Sequence, residues 1–190
     1  MEYQKMEICI VPVGEAGEDL RDLIFFIKDV LSEVFYAIVR VEKAMEIPVS
    51  AYNPARNQFN STEILKRLPA RCDVTIGITD ADLYANGLNF VFGEAELGGK
   101  RAIVSIARLR PYGTKFYGIY NRADADRMLK IRTLKEVMHE LGHVFGLEHC
   151  RNPRCVMHFS NSVMDTDLKD WMYCDVCKRK LEMMGIRIKL

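Results

Sequence analysis

The 190-residue sequence lacks a long uninterrupted apolar run and lacks an excess of charge of either sign. It has no stretch of about 18 uncharged apolar residues, the minimum that a transmembrane helix needs. The 27 Lys and Arg residues against 26 Asp and Glu give a formal net charge of +1, which disfavours a generally basic nucleic-acid binder. Residues 1–15 place acids within and just after a short apolar run, unlike a secretory signal. We therefore expect a cytoplasmic protein that binds neither membranes nor nucleic acids.

Composition predicts one folded domain, and the cysteines are unevenly placed along its sequence. The sequence is 49% apolar and 28% charged, which excludes a wholly disordered chain, and its length allows a substantial core. Of the six cysteines, Cys9 and Cys72 stand alone, whereas the other four lie within residues 150–177. Disulfides are rare in cytoplasmic proteins, so a metal site is the leading explanation for the clustered cysteines. Cys9 and Cys72 are predicted to be small core or boundary residues rather than metal ligands.

Hydrophobic periodicity predicts an α/β domain built around one sheet. Short β-branched and apolar runs indicate strands, whereas apolar residues recurring every three or four positions indicate helices. The predicted elements are, in chain order, a strand over 7–13, a helix over about 20–31, a strand over 34–41, a loop over 47–59, a short helix over 60–68, a strand over 74–79 and a hairpin of strands over 90–96 and 102–106. This order predicts a mixed, mainly parallel twisted sheet with one antiparallel edge strand.

A long helix beginning near Ala123 carries the most informative motif, the sequence HELGH at 139–143. His139 and His143, four residues apart, lie on one helix face, so both imidazoles can reach the same ion. Zn²⁺ suits neutral imidazole, and a catalytic zinc site leaves a position open for water. Glu140 is placed to take a proton from that water as the water attacks a carbonyl, which makes it the expected general base.

Gly146 and His149 extend this motif beyond the helix. A helix that simply continued would turn His149 away from the other two histidines. Glycine permits the left-handed backbone conformation that ends a helix, so Gly146 lets the chain turn and return His149 to the same metal. The full spacing His-Glu-x-x-His-x-x-Gly-x-x-His is far more specific than the first five residues alone. Two alternatives are a chance arrangement of surface histidines and a structural three-histidine zinc site, and Glu140 argues against the second.

At these residues the sequence resembles the metzincin zinc peptidases. That resemblance implies a tight turn downstream of the third ligand, with a methionine beneath the metal. Met157 is our choice for this Met-turn, Met164 is the competing choice, and ordinary core packing is the alternative for both. Some metzincins have a tyrosine two residues after the methionine, where this sequence has Phe159. The neighbouring His158 is expected to be a surface or packing residue.

Four cysteines follow the third histidine with spacings typical of a structural zinc site. Four thiolates with short loops between them match tetrahedral zinc. The predicted ligands are Cys150, Cys155, Cys174 and Cys177. One or two disulfides or a redox Cys-x-x-Cys pair are the alternatives, and neither an export signal nor a thioredoxin-like context supports them.

The combined pattern over residues 139–177 is similar to the archaemetzincins, a two-zinc branch of the metzincins. The resemblance implies a metzincin-like zincin fold, with a long active-site helix and a small zinc-stabilised C-terminal subdomain. It implies one metallopeptidase domain over 1–190, divided into an α/β subdomain over 1–146 and a subdomain over 147–190 with the Met-turn and the four-cysteine zinc site. One catalytic and one structural Zn²⁺ are expected per chain, and we expect a monomer.

The expected function is a zinc-dependent metallopeptidase that hydrolyses short peptides, with aminopeptidase-type selectivity as one form of it. The alternative is a zinc-stabilised peptide- or protein-binding module whose peptidase site is occluded or silent. By resemblance, the edge strand over 90–96 pairs with extended substrate. Glu94 and Glu96 on that strand would meet a substrate amino group or simply face solvent. The Tyr- and Arg-rich segment 108–122 is predicted to be a surface loop.

Overall fold

The computed structural model describes residues 5–15, 17–111 and 122–190, which form a mixed α/β fold. Its main elements are β1 (Met6–Val13), α1 (Glu18–Val34), β2 (Ala37–Val41), β3 (Tyr52–Asn53), β4 (Gln58–Asn60), α2 (Ser61–Arg67), β5 (Val74–Thr79), β6 (Leu83–Tyr84), β7 (Gly93–Ala95), β8 (Arg101–Ser105), α3 (Arg122–Val144), α4 (Val163–Leu168) and α5 (Asp175–Met183). The predicted segment 108–122 lies largely outside the described residues. Among the helices described, none combines the length and apolar composition that a membrane span requires.

A five-stranded sheet, ordered β2-β1-β5-β8-β7, forms the centre of the fold. Strands β2, β1, β5 and β8 run parallel, and β7 pairs antiparallel with β8 at the edge. The predicted mixed sheet with one antiparallel edge strand is therefore confirmed. In the turn between β7 and β8, Gly98 has a φ of +64°, which other residues rarely adopt, and this glycine lets the predicted hairpin close.

Both faces of this sheet are covered, which explains the continuous apolar sequences of β1 and β5. Alternate residues of a strand point to opposite faces. Ile8 and Ile10 of β1 pack in the cluster formed with α1 and α3, whereas Val11 and Val13 pack in a second cluster with α2. Gly77 in β5 is needed because a Cβ there would lie 2.7 Å from Ile103 Cδ1.

The segment over 47–59 is more ordered than predicted. Strands β3 and β4 pair antiparallel, and β4 also pairs parallel with β6 to form a small three-stranded sheet. Gln58, which is 6% exposed, fixes this region by donating hydrogen bonds to Asp82 Oδ2 at 3.1 Å and to the Asn89 carbonyl at 3.0 Å. The loop prediction was wrong here because these strands are short and depend on distant partners.

The C-terminal region packs against the same core as the sheet. Leu147, Val156 and Leu181 belong to the hydrophobic cluster that also contains residues of α1, α3 and strands β1, β2, β5 and β8. The last residues return to the N-terminal half, where the Lys189 N–H donates to the Val34 carbonyl at 2.7 Å. The division into subdomains 1–146 and 147–190 stays a prediction.

A disulfide joins Cys9 of β1 to Cys72, which precedes β5. Both residues are buried, as predicted, but their pairing was not predicted. The two cysteines are 63 residues apart in sequence and meet only because β1 and β5 are neighbours in the sheet. The bond therefore ties together two central strands.

Candidate active site

Helix α3 and the turn after it bring three imidazoles together. The ring centroids of His139 and His143 are 4.7 Å apart, and the ring of His149 lies 5.3 Å and 4.9 Å from them. One ring nitrogen of each histidine lies within 4.8 Å of the other two. The structure thus places the three sequence-predicted histidines around one point.

The end of α3 explains how His149 reaches that point. Gly146 has a φ of +102°, in the left-handed region. Its N–H donates to the His143 carbonyl at 2.9 Å, and the Leu147 N–H donates to the Gly142 carbonyl at 2.8 Å. These two bonds form a Schellman motif, which satisfies carbonyls at the helix end and reverses the chain direction.

Hydrogen bonds hold two of the imidazoles in the tautomer that a metal requires. The Nδ1 atom of His139 lies 2.8 Å from the Val156 carbonyl, and that of His143 lies 2.7 Å from the Leu147 carbonyl. A carbonyl can only accept, so each Nδ1 carries the proton and each Nε2 presents a lone pair. The two Nε2 atoms are 3.1 Å apart. Zinc–nitrogen bonds of about 2.0–2.1 Å in a tetrahedron place ligand atoms about 3.3–3.4 Å apart, close to this separation.

Electrostatics also favours neutral, metal-binding imidazoles. Burial lowers the pKa of His139 well below its usual range, and the nearby Lys169 charge adds to this effect. Burial likewise lowers the pKa of His143 and of His149. Unprotonated imidazole is the form that binds zinc, so the donor set fits that ion.

Glu140 lies beside the histidines and against the edge strand. It is 5% exposed, and burial raises its pKa well above the usual range, helped by the charges of Glu136 and Glu94 and opposed by Lys169. A Cβ added to Gly93 of β7 would lie 2.8 Å from both Cγ and Oε1 of Glu140. Gly93 therefore leaves the space that the Glu140 carboxyl occupies.

Met157 packs directly beneath the helix segment that carries the histidines. It is fully buried, and a Cβ added to Gly142 would lie 2.2 Å from its Sδ. Met164 is 72% exposed on α4, so the structure favours Met157 as the residue below the three histidines. Tyr173 was not singled out by the sequence analysis. Its hydroxyl donates a hydrogen bond to the Met138 carbonyl at 2.7 Å, which attaches the segment before α5 to α3.

The four C-terminal cysteines meet in a second cluster. Their sulfur atoms all lie within 4.8 Å of one another, with 3.9 Å between Cys150 and Cys174 and 3.8 Å between Cys155 and Cys177. Zinc–sulfur bonds of about 2.3 Å in a tetrahedron place sulfur atoms about 3.8 Å apart. The described residues show no disulfide among these four, in agreement with a metal site.

The charge state of these thiols depends on a cation. Burial raises the pKa of Cys155 to about 11 and also raises that of Cys177. Burial acts in the same direction on Cys174, but hydrogen bonds from the Cys177 N–H and from neighbouring thiols outweigh it and lower its pKa to about 7. The protein alone therefore keeps Cys155 and Cys177 protonated at neutral pH, and a metal ion bound there would release those protons.

Hydrogen bonds to backbone carbonyls connect the two clusters. The Cys150 N–H donates to the Met157 carbonyl at 2.9 Å. His158 Nδ1 donates to the Cys150 carbonyl at 2.9 Å, so His158 holds the loop rather than facing the cleft, as expected from the sequence. Because Cys150 follows His149 directly, the third histidine and the first cysteine of the cluster lie on the same loop.

A cleft of about 480 Å³ opens above the three histidines. Strand β7 and residues 88–92 form one wall, and residues 159–161 form the other. Glu94 lines the first wall, where Ser61 Oγ donates to it and Thr62 Oγ1 donates at 2.9 Å. Glu96 instead forms an ion pair with Arg101 at 2.6 Å and does not line the cleft.

Two buried charged residues in this cleft were not found by sequence reasoning. Glu136 and Lys169 line it at 3% and 2% exposure and form an ion pair of 3.3 Å. Glu136 lies one helical turn before Glu140, so its helix face was readable from the sequence. Lys169 lies in a region without periodicity and carries no such signal.

Comparison with known proteins adds to this geometry. The model of peptidase family M54 matches residues 18–183. Archaemetzincin from Methanocaldococcus jannaschii is 52% identical over 185 residues, covering 97% of this chain and 98% of that protein. The archaemetzincin structure from Methanopyrus kandleri has a TM-score of 0.80 at 33% identity, covering 95% of this chain and 96% of that one. That from Archaeoglobus fulgidus, complexed with malonate, has a TM-score of 0.76 at 40% identity, covering 92% and 99%. The chain therefore belongs to peptidase family M54, the archaemetzincins, and is a zinc metallopeptidase.

Proposed function

We propose that this protein hydrolyses short peptides at the cleft above α3, with Glu140 as the general base. The observation that carries the proposal is the convergence of three imidazoles and one buried carboxyl group on the floor of that cleft. His139, His143 and His149 are the proposed ligands of the catalytic zinc. Bound there, Zn²⁺ supplies a Lewis acid and lowers the pKa of a coordinated water.

Glu140 carries the proton transfers in this proposal. Its raised pKa makes the carboxylate a stronger base than a solvent-exposed glutamate. The carboxylate accepts a proton from the attacking water and then donates it to the nitrogen of the departing amine. Gly93 supports this role because it leaves room for the carboxyl group against the edge strand.

We assign the second zinc to the four cysteines and give it a structural role. Its ligands lie on the turn after α3, on the segment before Met157 and at the start of α5. A cation there holds the loop that carries His149 and Met157. The proposed stoichiometry is two zinc ions per chain, one catalytic and one structural.

Substrate is proposed to extend along β7 as an added strand. Glu94 of that strand would then accept hydrogen bonds from the free amino group of a peptide, which would give aminopeptidase-type selectivity. Its carboxylate is held in place by the hydroxyls of Ser61 and Thr62. Peptides with free and acetylated amino termini, cleaved by the wild type and by Glu94→Gln, test this part. Glu96→Gln is the matched control, because Glu96 pairs with Arg101 outside the cleft.

The proposed function is tested with a peptide library and metal analysis. Zinc-loaded wild type and Glu140→Gln are incubated with the library, and products are identified by mass spectrometry. We expect cleavage by the wild type and loss of cleavage, with unchanged zinc content, in the variant. Equal cleavage by both proteins would remove Glu140 as the base. Absence of cleavage by either would favour the binding-module alternative.

A further inference from the structure

The buried Glu136–Lys169 pair in the wall of the cleft acts on Glu140 only through its charges and makes no contact in the chemistry described above. Glu136 Oε1 lies 3.3 Å from Lys169 Nζ and accepts a hydrogen bond from Thr166 Oγ1 at 3.0 Å. Lys169 Nζ also donates to the His158 carbonyl at 3.4 Å. Burying a charged pair has a desolvation cost that apolar residues of similar size would avoid, so its place in a substrate cleft needs a reason.

Neighbouring contacts already anchor α4 to α3 without this pair. Arg132 forms a two-pronged ion pair with Asp167, with contacts of 2.7 and 2.6 Å. Lys135 donates to the Thr166 and Asp167 carbonyls at 2.9 and 3.0 Å. Neither Arg132 nor Lys135 lines the cleft. The Glu136–Lys169 pair differs from these anchors because it faces the space that substrate would occupy.

The pair leaves part of its hydrogen-bonding capacity unused. Both contacts of the Lys169 ammonium to oxygen are longer than the 2.7–2.9 Å typical of charge-assisted bonds, and an ammonium has three N–H donors. Glu136 uses only Oε1 in the contacts among described residues. Ser160 also lines the cleft, and its Oγ is buried and has no hydrogen-bond partner among the described residues.

We propose that Glu136, Lys169 and Ser160 form a subsite that selects an amide side chain, Gln or Asn, on one of the two substrate residues flanking the scissile bond. The amide carbonyl accepts from the Lys169 ammonium and the Ser160 hydroxyl, and the amide NH2 donates to Glu136. A carboxylate or ammonium side chain is attracted by one member of the pair and repelled by the other, and it would add an unpaired charge to a buried, neutral pair. An apolar side chain would displace water from the pair without replacing the hydrogen bonds that the water made.

This inference rests on the proposed function only in so far as its first test measures peptide cleavage. Peptides differ at one flanking position at a time, with Gln, Glu, Lys or Leu, and kcat/KM is measured for each. A hydrogen bond to a charged group corresponds to about tenfold or more in preference. We therefore expect the wild type to prefer Gln over Leu by at least about tenfold at one position. We expect Lys169→Met to bring that ratio close to one.

Variants separate recognition from folding. Lys169→Met leaves Glu136 buried without its partner, so the double variant Glu136→Gln/Lys169→Met, which removes both charges together, is measured beside it. Lys135→Met is the matched control, since it removes a buried ammonium outside the cleft. A purely structural role of the pair lowers kcat/KM for all peptides equally and leaves the Gln-to-Leu ratio unchanged. That result, or a wild-type ratio of one, would overturn the proposal.

A binding measurement makes the outcome independent of cleavage. Labelled Gln and Leu peptides are titrated into zinc-loaded Glu140→Gln protein, with and without Lys169→Met, and Kd is measured by fluorescence anisotropy. Tighter binding of the Gln peptide that Lys169→Met abolishes supports the subsite even if no peptide is cleaved. Cleavage without any preference would leave the proposed function intact and reject the subsite.

Discussion

Gly142 shows how closely the active-site helix is fitted to the turn below it. In HELGH, the first and last residues supply imidazoles, whereas the glycine at the fourth position allows close packing. A Cβ at this position would lie 2.2 Å from Met157 Sδ and 3.1 Å from Tyr173 Cε1, and both side chains are buried. Glycine is unfavourable inside a helix by about 1 kcal/mol relative to alanine, so its presence here indicates that the close approach of Met157 matters more.

We expect Gly142→Ala to lower the free energy of unfolding by about 1–3 kcal/mol, because overpacking in a buried region outweighs the better helix propensity of alanine. Denaturant unfolding of the zinc-loaded protein measures this. Gly17→Ala is the control, because nothing lies within 4 Å of a Cβ at this N-cap position of α1, and only the poorer capping by alanine, below about 1 kcal/mol, is expected. Equal unfolding free energies for Gly142→Ala and wild type would show that Met157 does not constrain the helix.

The candidate site was predictable at the residue scale only where local spacing carries the signal. The histidines, Glu140 and the helix-ending Gly146 follow from one helical repeat and one glycine. The cysteines follow from short spacings in sequence. Gly93 and Lys169 come from distant segments, and their roles arise from packing against α3 that no local pattern reports.

At the scale of elements, the sequence predicted the helices and strands that are long and rich in apolar residues. Strands β1 and β5 and helix α3 were predicted because their apolar patterns are long and continuous. Helices α4 and α5 were not predicted, because they are six and nine residues long and depend on distant contacts. Lys135 of α3 binds two carbonyls at the end of α4, and Cys174 and Cys177 place the start of α5 in the thiol cluster.

Loss of one cysteine ligand should therefore disturb the whole C-terminal region. We expect Cys174→Ser to lose one zinc per chain and to lower the unfolding midpoint, because metal binding supplies folding free energy to such segments. Metal analysis and thermal unfolding of the same sample measure both effects. Val176→Ser, at an exposed position between Cys174 and Cys177, is expected to keep both zinc ions. Unchanged zinc content and midpoint in Cys174→Ser would refute the structural role of this site.

On the scale of the whole molecule, the Cys9–Cys72 disulfide closes a long loop through the sheet. The chain-entropy account for a separation of 63 residues predicts about 4 kcal/mol of stabilisation. We expect Cys72→Ala to lower the free energy of unfolding by about this amount relative to the oxidised wild type. Reduction of the wild type should produce a similar loss, which provides the internal control.

Thiol counting checks the same bond directly. Of the six cysteines, the structure pairs two, so four should react with a thiol reagent in denatured, metal-free and unreduced protein. Six reactive thiols would show that the bond does not form under the conditions of purification. In that case the stability of wild type and Cys72→Ala should differ only by the lost side-chain packing.

The central claim is that one chain holds zinc at two chemically different sites, three imidazoles beside Glu140 and four thiolates below the Met-turn. Anomalous diffraction from crystals of the zinc-loaded protein, recorded on both sides of the zinc absorption edge, tests this most directly. We expect two zinc peaks per chain, one among His139, His143 and His149 and one among the four clustered cysteines. A fully loaded crystal with no zinc peak at the three histidines would contradict it.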